Sequence, residues 1–151
     1  MNPEPPSIHA SAVLVGCHAL LIRGPSGSGK SRLALALLQA ADAGAIAFAR
    51  LVADDRAVCR AAHGRLLVRP AGGLEGLLEV RGLGIRRLPY EPVAVVAAVV
   101  DLAAADADRL PEPASRVTEI DCVSLPRLAV ARGAEPLPLV LAYLSTDPTP
   151  G

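Results

Sequence analysis

The chain contains no tryptophan, one phenylalanine and two tyrosines among 151 residues, so it cannot assemble an aromatic platform for stacking single-stranded bases. Fifteen Lys and Arg balance 15 Asp and Glu, which excludes the basic footprint of an electrostatic nucleic-acid or membrane-surface binder. No apolar run approaches the roughly 18 residues of a membrane span, and no charged segment with a following apolar stretch opens the chain. The sequence therefore reads as a soluble, cytoplasmic protein without membrane or nucleic-acid partners. Cys17, Cys59 and Cys122 are odd in number, scattered and free of any C-x-x-C pair. Disulfide or zinc frameworks are thereby disfavoured, and a reducing compartment is the simplest setting.

Lysine is almost absent as well. Of the 15 basic residues one is a lysine and 14 are arginines. That lysine, Lys30, lies within Gly24-Pro25-Ser26-Gly27-Ser28-Gly29-Lys30-Ser31, a complete G-x-x-x-x-G-K-[ST] phosphate-binding loop. An arginine fork is planar and rigid, whereas a lysine ammonium is a point charge on a flexible stem that can reach between nucleotide phosphates. Gly24, Gly27 and Gly29 let backbone N–H groups turn inward, Ser31 offers a hydroxyl to Mg²⁺, and the following helix turns its positive end toward the anion. ATP and Mg²⁺ are the cofactors this pattern calls for.

The flanking segments fit. Ala19-Leu20-Leu21-Ile22 is a short apolar run, expected as a buried parallel strand, and Lys30 to Ala41 is a run of strong helix formers, apolar almost all round and so expected between layers of a core. His9 to Val15, Arg65 to Val68, Leu77 to Val80 and Val93 to Asp101 are strand candidates, and Val117 to Ala131 adds one or two more. Ala40 to Ala49 either extends the helix or forms a loop. Gly82-Leu83-Gly84 is a flexible turn, and Pro136 to Tyr143 a terminal helix opened by proline. Length and pattern indicate one α/β domain over 1–151 with a mixed sheet, a P-loop nucleotide-binding fold, and proline-rich tails at about 1–7 and 146–151. Leu51-Val52-Ala53 runs into Asp54-Asp55, and carboxylates at the carboxyl end of a strand are where an α/β sheet usually carries chemistry.

Three stretches together resemble the HPr(Ser) kinase/phosphorylase family: Ile8-His9-Ala10 ahead of the phosphate loop, Leu51-Val52-Ala53-Asp54-Asp55, and Leu78-Glu79-Val80-Arg81-Gly82-Leu83-Gly84-Ile85. The resemblance is good from His9 to about Asp101 and looser beyond. It implies a catalytic domain like that of phosphoenolpyruvate carboxykinase, an ATP-dependent kinase that phosphorylates a serine of the phosphocarrier protein HPr, and reversal by phosphorolysis, with phosphate consumed and pyrophosphate released. It further implies a short form consisting of the catalytic domain, and a hexamer.

Residue roles follow from the matched motifs. Lys30 holds the β- and γ-phosphates, and Ser31 and Glu79 bind Mg²⁺, an ion that takes few carboxylates alongside phosphate oxygens and water. Asp55 matches the family's general base toward the serine hydroxyl, and the acid in phosphorolysis. Asp54 either orients Asp55 or assists the metal, because adjacent carboxylates resist joint ionisation without a cation nearby. His9 matches a histidine counted with the family's active site, which would put it near the phosphates. Arg109, in Asp108-Arg109-Leu110, resembles an arginine segment that follows the long apolar strand, although the spacing here is shorter.

Other departures are Arg32, where many relatives carry an acidic residue, a longer interval from Lys30 to Asp55, and a later basic glycine loop reduced to Arg132-Gly133. Arg81 is placed to pair with Glu79 if their strand is regular. Two rival classes remain: a small-molecule kinase, although the aromatic-poor sequence offers no obvious metabolite pocket, and a non-catalytic ATP-sensing module that would have no need of Asp55.

Overall fold

A computed structural model describes residues 5–148. The expected tails fall partly outside that range. The chain runs β1 (Ala10–Val15), β2 (His18–Arg23), α1 (Lys30–Asp42), β3 (Ala49–Ala53), β4 (Ala57–Ala62), β5 (Arg65–Pro70), β6 (Leu77–Val80), β7 (Gly84–Arg87), β8 (Ala94–Asp101), β9 (Val117–Ile120), β10 (Val123–Ala129) and α2 (Pro136–Ser145). Eight strands form one mixed sheet with the path β3-β1-β2-β8-β10-β9, and β5 also pairs with β8 and carries β4. β6 and β7 make a separate hairpin.

The α/β class and mixed sheet agree with expectation, with some corrections. β2 is parallel to β8 but antiparallel to β1, since the Gly16-Cys17 turn joins β1 and β2 as a hairpin. The Ala40–Ala49 ambiguity resolves: the helix stops at Asp42, turns follow, and β3 begins at Ala49. Ala57–Ala62 and Gly84–Arg87 are strands that the apolar pattern did not reveal, because β7 is exposed along its whole length and β4 alternates poorly.

The sheet has an apolar layer on each face. Ala10, Ala12, Leu21, Val52, Val68 and Val99 belong to one cluster, and Val13, Leu20, Ile22, Leu51, Ala98 and Val100 to the other. Helix α1 covers the second face with Leu33, Ala34 and Leu37, while Arg32 and Gln39 face solvent. It is thus buried along a stripe rather than enclosed. Val140 of α2 and Leu78 of β6 close over the same cluster.

A one-residue register shift decides what the end of β3 presents. Ala12 pairs with Ala53 but Val13 pairs with Leu51, so Val52 is an extra residue opposite β1. Leu51 therefore packs on the α1 face while Val52 and Ala53 both pack on the other. Strand alternation resumed after the bulge turns Asp54 back toward α1.

Candidate active site

The phosphate loop spans the gap between β2 and α1. Gly27 and Gly29 hold φ of 80° and 101°, backbone that side chains other than glycine seldom adopt. Ser28 N donates to Pro25 O at 3.0 Å, and Leu33 N to Gly29 O at 2.9 Å starts the helical ladder. Lys30 is only 6% exposed, and its Nζ donates to Gly24 O at 2.9 Å and Pro25 O at 3.3 Å. The ammonium thus lies against the inside of the loop.

Three observations fit a polyphosphate in this cradle. The first turn of α1 has no side-chain cap and no acidic residue, so its orphan N–H groups and positive end suit an anion. Ser28 Oγ is buried without a hydrogen-bond partner among the described residues. A Cβ at Gly24 would sit 2.5 Å from that oxygen and 3.1 Å from Leu102 Cβ, so only glycine allows the loop to close as tightly as it does.

Beside the cradle stands a carboxylate held by three donors. Asp54, 8% exposed, accepts from Ser31 Oγ at 2.7 Å and Ser11 Oγ at 2.8 Å through Oδ1, and from Glu79 N at 3.1 Å through Oδ2. Ser11 Oγ in turn accepts from Asp55 N at 3.2 Å. Asp55 itself adopts φ of 67°, which swings its side chain out of the strand line into solvent. There Asp55 Oδ1 lies 3.7 Å from His9 Nδ1, both side chains being more than half exposed.

The structure thus gathers Lys30, Ser31, Asp54, Asp55, His9 and the backbone of Glu79. Glu79 carries an exposed side chain, and among the described residues no three His, Cys, Asp or Glu side chains cluster in metal-binding geometry. Arg81 lies just past the end of β6, so the condition for the competing Glu79–Arg81 pair, a regular strand through both, is not met, and the two form no ion pair among the described residues. A metal ion here would be held by the Ser31 hydroxyl and the Asp54 carboxylate with phosphate oxygens and water, a hard-oxygen set suited to Mg²⁺. Arg109 is exposed and makes no hydrogen bond or ion pair among the described residues.

Sequence reasoning passed over Ser11 and the strand-end pair of Arg23 and Asp101. Ser11 was detectable as the polar residue in the buried run of β1. Asp101 ends β8, and Arg23 ends β2 one residue before the loop. Arg23 Nε and Nη2 donate to Asp101 Oδ1 and Oδ2 at 2.7 and 2.8 Å. Arg127 also donates to Asp101 and spans to Asp106 and Ser115 O. Burial opposes ionisation of Asp101, but the hydrogen bonds from Arg23 and Arg127 outweigh it and hold the carboxyl below its ordinary range.

A cavity of about 510 Å³ opens on the other side of the loop, between the start of α1, Leu102–Ala103 and residues 130–137. The sequence offered no obvious metabolite pocket, and the walls of this cavity come from segments far apart in sequence.

The family described as HPr Serine kinase C-terminal domain matches residues 4–90, which include the phosphate loop, the Asp54-Asp55 pair and β6. The chain belongs to the HPr serine kinase C-terminal domain family. HPr kinase/phosphorylase from Clostridium tetani is 38% identical over 86 residues, covering 56% of this chain and 26% of that protein. The Streptococcus thermophilus HPr kinase/phosphorylase is 42% identical over 83 residues, 54% of this chain and 25% of the relative. This HPr serine kinase C-terminal domain family member thus spans about a quarter of the length of those relatives. The Hpr(Ser) kinase/phosphatase from Coxiella burnetii has the same fold, with a TM-score of 0.71 and 24% identity over 91% of this chain and 92% of that one. Its coverage extends the fold likeness past residue 90. No helix among the described residues is long and apolar enough to cross a membrane.

Proposed function

We propose that this chain is the catalytic unit of an ATP-dependent serine kinase whose substrate is the phosphocarrier protein HPr. The observation that carries the reading is the shared anchoring of Asp54 and Asp55: one serine, Ser11, bonds the Asp54 carboxylate and the Asp55 amide. Asp54 is thereby held on the loop serine while Asp55 points outward, where a protein substrate can reach it. A nucleotide-sensing module would need the first carboxylate and not the second.

Lys30 and the loop N–H groups would hold the β- and γ-phosphates, and Ser31 with Asp54 would hold Mg²⁺, whose charge would offset that of the phosphates. Glu79, whose amide donates to Asp54, would offer its exposed carboxylate to the same ion from β6. Asp55 accepts the proton as the acceptor serine's O–H bond breaks and its oxygen bonds phosphorus, and the β–γ bridging oxygen leaves with ADP. His9 orients Asp55. In the reverse direction orthophosphate takes the phosphoryl group as pyrophosphate, and Asp55 returns the proton to the departing serine oxygen.

Transfer of labelled γ-phosphate from ATP·Mg²⁺ to purified HPr tests this directly. Label should appear on HPr with wild-type protein, disappear with Lys30→Ala or with HPr lacking its acceptor serine, and fall by about 10²-fold or more with Asp55→Asn while ATP still binds. Absence of label on HPr in spite of Lys30-dependent ATP binding would overturn the substrate assignment.

A further inference from the structure

Asp55, the group proposed above as general base, sits on strained backbone. Asp54, Asp55 and Arg56 form a three-residue turn closed by Arg56 N donating to Asp54 O at 2.7 Å, with φ of 67° at Asp55. That hydrogen bond and that sign of φ are those of the classic γ-turn, a rare and strained conformation. Such backbone persists only where its surroundings over-determine it. Here the start of β1 and the residues before it do so. Ile8 and Ala57 exchange backbone bonds at 2.8 and 3.0 Å, Ala10 N donates to Asp55 O at 3.2 Å, and Asp55 N donates to Ser11 Oγ at 3.2 Å. Of these clamps only the last uses a side chain. Ser11 is fully buried opposite Ile22, where a hydroxyl without partners would be costly, and it uses both its capacities: it donates to Asp54 Oδ1 at 2.8 Å and accepts from Asp55.

The two bonds differ in consequence. Without Ser11, Asp54 keeps the Ser31 hydroxyl and the Glu79 amide, whereas Asp55 N has no other acceptor among the described residues. Resting on the reading of Asp55 as base toward the acceptor serine, we propose that Ser11 is a positioning residue whose hydroxyl holds Asp55 in the strained turn that aims its carboxylate. Ser11 thus acts on phosphoryl transfer and leaves nucleotide binding to Lys30, Ser31 and Asp54. A misplacement of about 1 Å at a reacting group costs about 10²-fold in rate, so one bond to one amide is enough to be read in kcat.

Steady-state transfer of γ-phosphate to HPr by wild type, Ser11→Ala, Asp55→Asn and the double variant tests the positioning. Ser11→Ala should lower kcat by about ten-fold or more with KM for ATP·Mg²⁺ within about two-fold of wild type. In the Asp55→Asn background the same substitution should cost less than about two-fold, because no carboxylate remains to be aimed. Full additivity of the two losses, an unchanged kcat, or a loss confined to KM for ATP·Mg²⁺ overturns the proposal. Urea denaturation reads the clamp without catalysis. On ordinary backbone glycine is less stable than alanine, but at a positive φ the order reverses. Asp55→Gly should therefore unfold at a higher urea midpoint than Asp55→Ala, and the gap should shrink when Ser11→Ala is added. The opposite order in the presence of Ser11 overturns the proposal even if Ser11→Ala fails to fold, and so does a gap that Ser11→Ala leaves unchanged. A wild type that transfers no phosphate to HPr would instead overturn the reading of base and substrate, while the urea comparison still decides the clamp.

Discussion

Ser31 Oγ donates to Asp54 Oδ1 at 2.7 Å, so the last residue of the phosphate loop and the first carboxylate beyond β3 are in contact across 23 positions of sequence. The contact depends on the bulge at Val52, which turns Asp54 to the α1 face where Ser31 lies in the first turn of the helix.

Removal of Asp54 should therefore affect both folding and binding. Asp54→Ala leaves the Ser11 hydroxyl and the Glu79 amide without their acceptor, and loss of a buried partner costs about 1–3 kcal/mol. Urea denaturation should show a lower midpoint with an unchanged slope. The Mg²⁺-dependent part of ATP affinity should be lost, whereas the metal-free part persists through Lys30.

Gly24→Ala should weaken the loop by contact, added to the strain of a side chain at φ of 157°. Its Cβ would fall 2.5 Å from Ser28 Oγ and 3.2 Å from Leu102 O, so loop and strand must separate. A cost of about 1–3 kcal/mol and reduced tripolyphosphate affinity are expected. The double variant with Ser28→Gly should recover part of both losses, since the closest clash is removed; the check is chemical denaturation beside phosphate titration.

Acid should loosen the foundation under the loop. The folded-state pKa of Asp101 lies below its ordinary value, so the stability it contributes is present above the unfolded pKa, about 3.9, and is lost as pH falls through the folded value. Asp101→Asn keeps the shape but not the charge that binds Arg23 and Arg127. Its stability should be lower at neutral pH and should fall less steeply below about pH 4 than that of wild type, as read from thermal midpoints across pH.

The three thiols should react unequally. Burial pushes Cys59 up to about 11, with Arg23 opposing and Asp121 adding to the rise, while Cys17 and Cys122 are exposed. Maleimide at neutral pH should label Cys17 and Cys122 and spare Cys59 in the folded protein, because the thiolate is the reactive form. Mass spectrometry of digested protein checks the pattern, and labelling of Cys59 at a matching rate would contradict it.

What the sequence determined by itself is local. The order of glycines, Lys30 and Ser31 dictates a phosphate loop because backbone approach and a mobile ammonium require those residue types within one turn. The apolar runs at Leu20-Leu21-Ile22 and at 94–101 dictate buried strands, and the strong helix formers from Lys30 dictate a helix, whereas its burial along the single stripe of Leu33, Ala34 and Leu37 came from the fold. Strand β7 and the turn after Asp42 were not legible, since exposed Gly84–Arg87 and the Ala/Gly stretch carry no burial pattern. Only the tertiary structure decided which side of the sheet Asp54 faces, that Ser11 joins it to Asp55, that Arg109 stands apart while Arg127 ties Asp101 to Asp106, and that a cavity opens beside the loop. Each of these depends on strand register or on segments distant in sequence, and a one-residue shift in register reverses every side chain that follows it.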